Sequence, residues 1–366
     1  MNADTQKNAD SQDDELQTIE EQDEAEPFVT YDIASYPSDL TLAGIRDMWD
    51  QGDIVIPDFQ RNYVWNVKQA SLLIESFLLG LPVPQVFFYL GEDNKSLVID
   101  GQQRIMSVIY FFEGYFGDES TQSKRQVFRL TGLDERSQFA NKKYDELDDA
   151  AQRKLRQSVL RAINIRQLTP KNENTSIYHI FERLNTGGTP LKAQEIRNCV
   201  FRGEISAKLK ALNLDKNWRN ILGKPKLDKH QKDVELILRV FSLAQSHWRK
   251  YEKPMKEFLN VAMNGERAGN SKRVINFVEA FPKAAKIIVE KLGQKPFHIR
   301  GPLNASALDA VMAIVIDNID KVPDDIKVRY DRLIADKRFS DATFYGTSDV
   351  SVLHARFNAA QEILIG

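Results

Sequence analysis

The chain has 366 residues, of which 42% are hydrophobic and 28% charged, with a formal net charge of −2, and this is the composition of a soluble globular protein of one large domain or two ordinary ones. No apolar run reaches the roughly 18–20 residues that span a bilayer, and the acidic start is unlike a secretory signal or a basic transit peptide, so no membrane partner and a cytoplasmic location are expected. A single cysteine, Cys199, excludes an internal disulfide framework and a multi-cysteine zinc site, and its amphipathic helical setting reads as a buried thiol.

Residues 1–27 carry ten acids and one lysine, a net of −9, which leaves +7 on the rest of the chain. With no periodic apolar face, this tail reads as disordered, either as a solubilising extension or as a competitor with nucleic acid for a basic surface. The folded body is expected from Phe28. Thr41–Gln51 reads as a helix with Leu42, Ile45, Met48 and Trp49 on one face, ended by Gly52. A brief strand follows at Ile54–Ile56, closed by Pro57. Asp58–Trp65 is a polar and aromatic loop, and Asn66 is suited to cap a helix that presents Ala70, Leu73, Ile74 and Phe77 and stops at Gly80-Leu81-Pro82.

Gln85–Leu90 and Ser96–Asp100 read as two strands of a hairpin, followed by a helix over Gln102–Phe112. Residues 113–145 are irregular, with a weak strand at Gln126–Leu130. A helix is expected over Asp145–Gln157, and a strand over Val159–Gln167 with Val159, Ile163 and Ile165 on one face. Asn174–Leu184 is helical and ends in the loop Asn185-Thr186-Gly187-Gly188-Thr189-Pro190, after which helix resumes from Leu191 to about Phe201. Beyond Ser206 almost every period is helical: Val234–Gln245, Lys253–Met263, Ser271–Leu292, Ser306–Ile319, Asp325–Ala335 and Ser348–Leu364. The basic stretch Lys224–Lys232 reads as exposed. The fold class is α+β, with a mixed domain at 28–203 followed by an all-α region at 204–366.

The stretch Val98-Ile99-Asp100-Gly101-Gln102-Gln103-Arg104 is the most informative in the chain. An apolar strand runs into a glycine turn and then into a helix. A helix start leaves free N–H groups and a positive dipole end, which together attract an anion, and Arg104 adds a planar fork of donors suited to phosphate. The alternative is a strand-to-helix turn whose Arg104 makes a structural salt bridge. Two further polar clusters stand out, Asp58–Trp65 with Arg61 and Phe181–Gly188 with Arg183. Arg61, Arg104 and Arg183 converging on helix starts would suit a polyphosphate, and one carboxylate would suffice for a hydrated Mg²⁺. The other reading is three unrelated loops with surface arginines. The sequence has no GxxxxGK[ST], no GxGxxG and no GxSxG, and its histidines, His179, His230, His247, His298 and His354, show no HxxxH or HExxH pairing.

In this order, Ile56-Pro57-Asp58-Phe59-Gln60-Arg61 with Trp65, then Val98–Arg104, then Phe181–Leu191 resemble the GmrSD-type N-terminal domain of the ParB/sulfiredoxin-like superfamily, over roughly residues 40–200. The resemblance implies a ParB/sulfiredoxin-like fold and a role in restriction-type or anti-phage defence against foreign or modified DNA. It implies a nucleotide site made by Asp100, Gly101, Gln102, Gln103 and Arg104, with Gln60 and Arg61 nearby, and the polar third cluster adds Arg183 and Asn185 to the expected site. The expected ligand is a nucleoside triphosphate with Mg²⁺. Arg104 would hold phosphate, Gln102 or Gln103 would orient the attacking water, and Asp100 would place Mg²⁺ or accept a proton. No His-Asn-His nuclease pattern is present, so the expectation is a sensor or regulator working with a separate nuclease. DNA binding without turnover is an alternative, as are a ParB-like nuclease using Asp58, Asp100 and Glu182, and an interaction scaffold. A homo-oligomer is left open.

Overall fold

The computed structural model describes residues 18–19, 31–56, 63–91, 94–117, 125–169, 176–184 and 192–366. Apart from the backbone of β1 (Thr18–Ile19), the acidic tail lies outside the described residues, as does the thiol of Cys199. The chain forms two compact units, one of Tyr31–Pro190 and one built on Leu191–Gly366.

In the first unit, β2 (Asp32–Thr41) leads directly into α1 (Leu42–Asp50). The Thr41 hydroxyl accepts from the Gly44 N–H at 3.0 Å and caps the helix. Leu42 and Ile45 are buried, with Met48 and Trp49 packed against the same core. After the short β3 (Ile54–Val55), α2 (Val67–Leu79) opens with a reciprocal capping box: Gln69 N–H donates to the Asn66 side chain, and Asn66 N–H to the Gln69 side chain, both at 3.0 Å. Gly80, in the left-handed region at φ 81°, closes it. The four expected apolar residues of this helix are all buried. Replacing Asn66 with Ala is expected to lower stability by about 1 kcal/mol, with Asn66→Asp close to the parent, read from urea midpoints.

β4 (Val86–Leu90) and β5 (Ser96–Asp100) pair antiparallel, as the hairpin signal implied, and α3 (Gln102–Glu113) follows. The weak strand is the two-residue β7 (Gln126–Val127), paired with β6 (Tyr115–Phe116). The helix expected from Asp145 starts later, as α4 (Asp149–Gln157), because the Asp148 carboxylate accepts the Ala151 N–H at 2.7 Å and fixes the cap there. β8 (Val159–Thr169) and α5 (Ser176–Leu184) complete the unit.

The described strands form a mixed five-stranded sheet in the order β2-β8-β4-β5-β3. β8 runs antiparallel to β2 and parallel to β4, and β5 runs parallel to β3. One sheet face offers Val86, Phe88, Val98, Leu160 and Ala162 to a core shared with α1 to α4. Tyr89, Ile99 and Ile165 alternate onto the other face and are buried there, and α5 packs beside β5. Val159 is 48% exposed, contrary to the expected apolar face. β4 reaches β8 only at residues 162–165, so the start of β8 is a two-stranded ribbon with β2.

The second unit is helical apart from β9 (Leu303–Asn304), which pairs in parallel with β1. Its helices are α6 (Ala193–Val200), α7 (Glu204–Leu212), α8 (Lys216–Leu222), α9 (Lys232–Leu243), α10 (Met255–Gly265), α11 (Lys272–Leu292), α12 (Ala305–Asp317), α13 (Ile326–Ala335), α14 (Lys337–Ala342) and α15 (Val350–Leu364). α6 joins this unit because buried Arg197 donates to Asn260 at 2.9 Å and to Glu235 at 2.6 Å. α12 is buried on every side from Ala305 to Ile316 and apolar there apart from Ser306 and Asp309, with α9, α11 and α15 around it. No helix among the described residues is long and apolar enough to cross a membrane.

Candidate functional site

β5 ends at Asp100, and Gly101 turns the chain at φ 101°. A Cβ on Gly101 would lie 2.2 Å from Val86 Cγ1 and 2.7 Å from Val86 Cβ, so only glycine allows both this dihedral and the close approach of β4. Gly101 caps α3 without a side-chain hydrogen bond. The first N–H to close back into the helix is that of Ile105, which donates to the Gly101 carbonyl at 3.0 Å. The N–H groups of Gln102, Gln103 and Arg104 precede it, at the positive end of the helix dipole.

Arg104 stands over this turn with its side chain 17% exposed. Its Nη2 donates to Asp100 Oδ2 at 2.8 Å and to the Gln85 carbonyl at 3.1 Å. Its Nε is buried with no hydrogen-bond partner among the described residues. The structural salt bridge and the anion site are therefore compatible: one nitrogen is anchored, and Nε is left without a partner among the described residues. Asp100 uses one carboxylate oxygen for Arg104, and its side chain is 46% exposed.

The two glutamines face different neighbours. Gln103 Oε1 accepts the N–H groups of Val64 at 3.0 Å and Trp65 at 3.1 Å. Ser107, one turn on, donates to the Gln103 carbonyl at 2.6 Å and lies 2.7 Å from the Tyr63 hydroxyl. The Tyr63 ring packs edge-on against Tyr110 at 5.1 Å, and burial pushes its hydroxyl pKa up to about 12. Gln102 is 9% exposed, and its side chain makes no hydrogen bond among the described residues.

The turn thus brings together Asp100, Gly101, Gln102, Gln103 and Arg104. α5, beside β5, carries Glu182 and Arg183 on its exposed side. Asp58, Gln60, Arg61 and Asn185 lie outside the described residues. Sequence reasoning missed the Gln85 carbonyl, Val86 and Ser107. Only Ser107 left a signal, its spacing of four from Gln103.

Among the described residues, no three His, Cys, Asp or Glu side chains gather into a metal site. His354 lies 3.1 Å from the Trp248 carbonyl and packs on the Trp248 ring, a structural setting. The basic stretch is only partly exposed, contrary to expectation. Lys226 and Lys229 face solvent, but Asp228 is buried and accepts the N–H groups of His230 and Lys232, while Arg219 bonds the Lys224 carbonyl at 2.9 Å and Asp233 at 2.7 Å.

Among known protein families, the one described as the GmrSD restriction endonuclease, N-terminal domain, matches residues 43–202. No curated protein is detectably similar to the chain. The match spans the strands β3, β4, β5 and β8, the turn at Gly101 and the helix that carries Arg104, so residues 43–202 are similar to the N-terminal domain of the GmrSD restriction endonuclease family.

Proposed function

We propose that this domain binds a nucleoside triphosphate at the start of α3 and hydrolyses it, as the sensor or regulator of a DNA-directed defence system. The observation that carries the reading is the anchored, mostly buried Arg104 with an unpartnered Nε beside an uncapped helix start. A phosphate there would take the free donors of the guanidinium fork and the first-turn N–H groups. Hydrolysis of a phosphoanhydride asks chiefly for positioning and charge stabilisation, so no covalent nucleophile is needed.

In this proposal Arg104 holds phosphate, Arg183 approaches from α5, and Gln60, Arg61 and Asn185 complete the site. Gln102 or Gln103 orients the attacking water. The second oxygen of Asp100, unused by Arg104, fits the single carboxylate that a phosphate-bound Mg²⁺ needs, the ion supplying charge neutralisation. DNA, a separate nuclease subunit and a second copy of the chain are the proposed partners. DNA binding without turnover is a second reading, favoured by the exposed Lys226 and Lys229 on a body of net positive charge.

The test is calorimetric titration with ATP, GTP and CTP in Mg²⁺, followed by phosphate release with and without DNA. Arg104→Ala is expected to weaken binding about 100-fold or more, since charge-assisted hydrogen bonds contribute about 1.5–3 kcal/mol each. The fold should persist, because the released Asp100 carboxylate already reaches solvent. Equal binding by parent and variant would remove Arg104 from the site. A folded parent that binds no triphosphate but shifts DNA in a salt-dependent way would favour the second reading.

A further inference from the structure

We propose that the acidic N-terminal segment is an intramolecular competitor for single-stranded nucleic acid: β1 ties it to β9 of the helical unit, beside a cationic and aromatic patch made by Arg300, Phe344 and Tyr345. Of the functional reading above, this takes only that DNA is a partner. It does not depend on a nucleotide site.

Thr18 and Ile19 pair in parallel with Leu303 and Asn304, and residues 1–30 belong to the same compact unit as the helices. β1 is the one strand paired with β9 among the described residues. β9 itself is fixed. Leu303 and Asn304 are buried, and the Asn304 side chain accepts the Ala307 N–H at 2.8 Å and donates to the Thr343 carbonyl at 3.0 Å. The acids of the segment crowd around β1 in the sequence: Asp10, Asp13, Asp14 and Glu15 precede it, and five more lie between Glu20 and Glu26. At about 3.3–3.6 Å per extended residue, none of these can stray more than about 30 Å from β9. A two-residue ladder is a weak hold, so a stronger polyanion can displace it. Because the contact is made within one chain, it still competes at an effective concentration set by the linker and not by the amount of protein.

The surface next to β9 suits the same kind of ligand. Thr343, which holds Asn304, is followed by Phe344, and the guanidinium of exposed Arg300 lies over the Phe344 ring at 3.9 Å. Arg300 also donates to the Ser340 hydroxyl at 3.2 Å. Tyr345, next in the chain, is 73% exposed. Arg338 is tied to Asp336 and Glu362. Arg300, Lys295 and Lys337 form no ion pair among the described residues, against the single unpaired acid Asp341 on this stretch. A guanidinium stacked on one ring, with a second ring open to solvent, matches a phosphate backbone and an unstacked base. The segment carries −9 and the rest of the chain +7, so the charge that attracts DNA phosphates attracts the segment as well.

The test uses the full chain and a fluorescein-labelled oligothymidylate, with anisotropy read at low salt. Removing acids favours a polyanion on any surface, so the deciding variant keeps every charge: Thr18→Pro with Ile19→Pro, which takes both N–H groups out of the ladder. It should melt like the parent and bind the oligonucleotide about threefold more tightly or better. Adding Arg300→Ala to it should weaken binding about tenfold, whereas Arg300→Ala in the parent should do less, because the segment already competes there. Amide exchange at Thr18, Ile19 and Glu20 of the parent should quicken when the oligonucleotide is added.

Equal oligonucleotide binding by the parent and the proline variant, or exchange at residues 18–20 that the oligonucleotide leaves unchanged, would overturn the competition while DNA remained a partner. No effect of Arg300→Ala in the proline variant would overturn the assigned surface. If the folded proline variant binds no oligonucleotide, the DNA reading and this proposal fail together.

Discussion

Replacing Asp309 with Asn is expected to destabilise the helical unit by about 3–5 kcal/mol, the usual consequence of removing one partner from a buried ionic group. Asp309 sits in the middle of α12 and is completely buried. Arg239 of α9 donates to its Oδ2 at 2.8 Å, and Arg356 of α15 lies 3.5 Å from its Oδ1. Arg356 is also wholly buried, and its Nη1 holds the chain after α14 by donating to the carbonyls of Ala342 at 3.0 Å and Thr347 at 3.1 Å. Burial pulls the Arg356 pKa down, and the Asp309 charge opposes that shift.

Two guanidinium groups thus share one carboxylate. Asparagine has the same shape, so the substitution removes the charge without opening a cavity. It leaves the buried Arg356 and the partly buried Arg239 facing an amide. A loss of this size is a large part of the roughly 5–15 kcal/mol that holds a domain together. Urea denaturation followed by circular dichroism reads the effect as a lowered midpoint. The combined variant Arg239→Met, Asp309→Leu, Arg356→Met is expected to be more stable than Asp309→Asn alone, because it removes the unpaired charge along with its partners. A parent-like midpoint for Asp309→Asn would show that the carboxylate does not hold the three helices.

Such a triad is invisible in the sequence, because Arg239, Asp309 and Arg356 are far apart along the chain and α12 reads simply as apolar. Local signals fared better. Asn66 capped the helix it was expected to cap, Gly80 ended it, and the β4–β5 hairpin and α3 fall where turn chemistry and periodicity put them. α8 and α14 escaped individual notice because seven and six residues, under two turns of helix, carry too little periodicity to stand apart from their surroundings. The turn from Asp100 to Arg104 was legible because strand, glycine and helix start follow each other without a break. What the sequence could not give was the partner of each side chain. The Arg104 anchor on the Gln85 carbonyl and the two N–H groups on Gln103 are made to backbone, which has no residue-type signature. The α+β class follows from the same local signals, while the sheet order depends on β8 inserting between β2 and β4, a pairing set by distant packing.

Gly101→Ala is expected to cost about 2–6 kcal/mol in stability and to dismantle the site at the same time. A non-glycine residue at a φ of 101° carries a backbone penalty of about 1–3 kcal/mol. The added methyl also meets Val86 Cγ1 at 2.2 Å, and overpacking of this kind costs about 1–3 kcal/mol more. Val86 cannot swing away freely, since it is completely buried in β4, between β8 and β5. Relief must come from parting β4 and β5 or from shifting the turn. Either movement acts on the residues next to the clash: Gln85, whose carbonyl anchors Arg104, and Asp100, whose carboxylate holds the same nitrogen. ATP affinity, on the proposed reading, should therefore fall even in the fraction that remains folded. Adding Val86→Ala to Gly101→Ala removes the clash with Cγ1 but keeps the 2.7 Å approach to Cβ and the strained dihedral. The pair should then lose less stability than the sum of the two single variants, with a coupling of about 1–2 kcal/mol in a double-mutant cycle. Strict additivity would mean that the strain lies in the dihedral and the Cβ approach and not in the contact with Cγ1. A Gly101→Ala protein that melts and binds like the parent would mean that the turn tolerates a side chain, and the geometry that places Arg104 would need another origin.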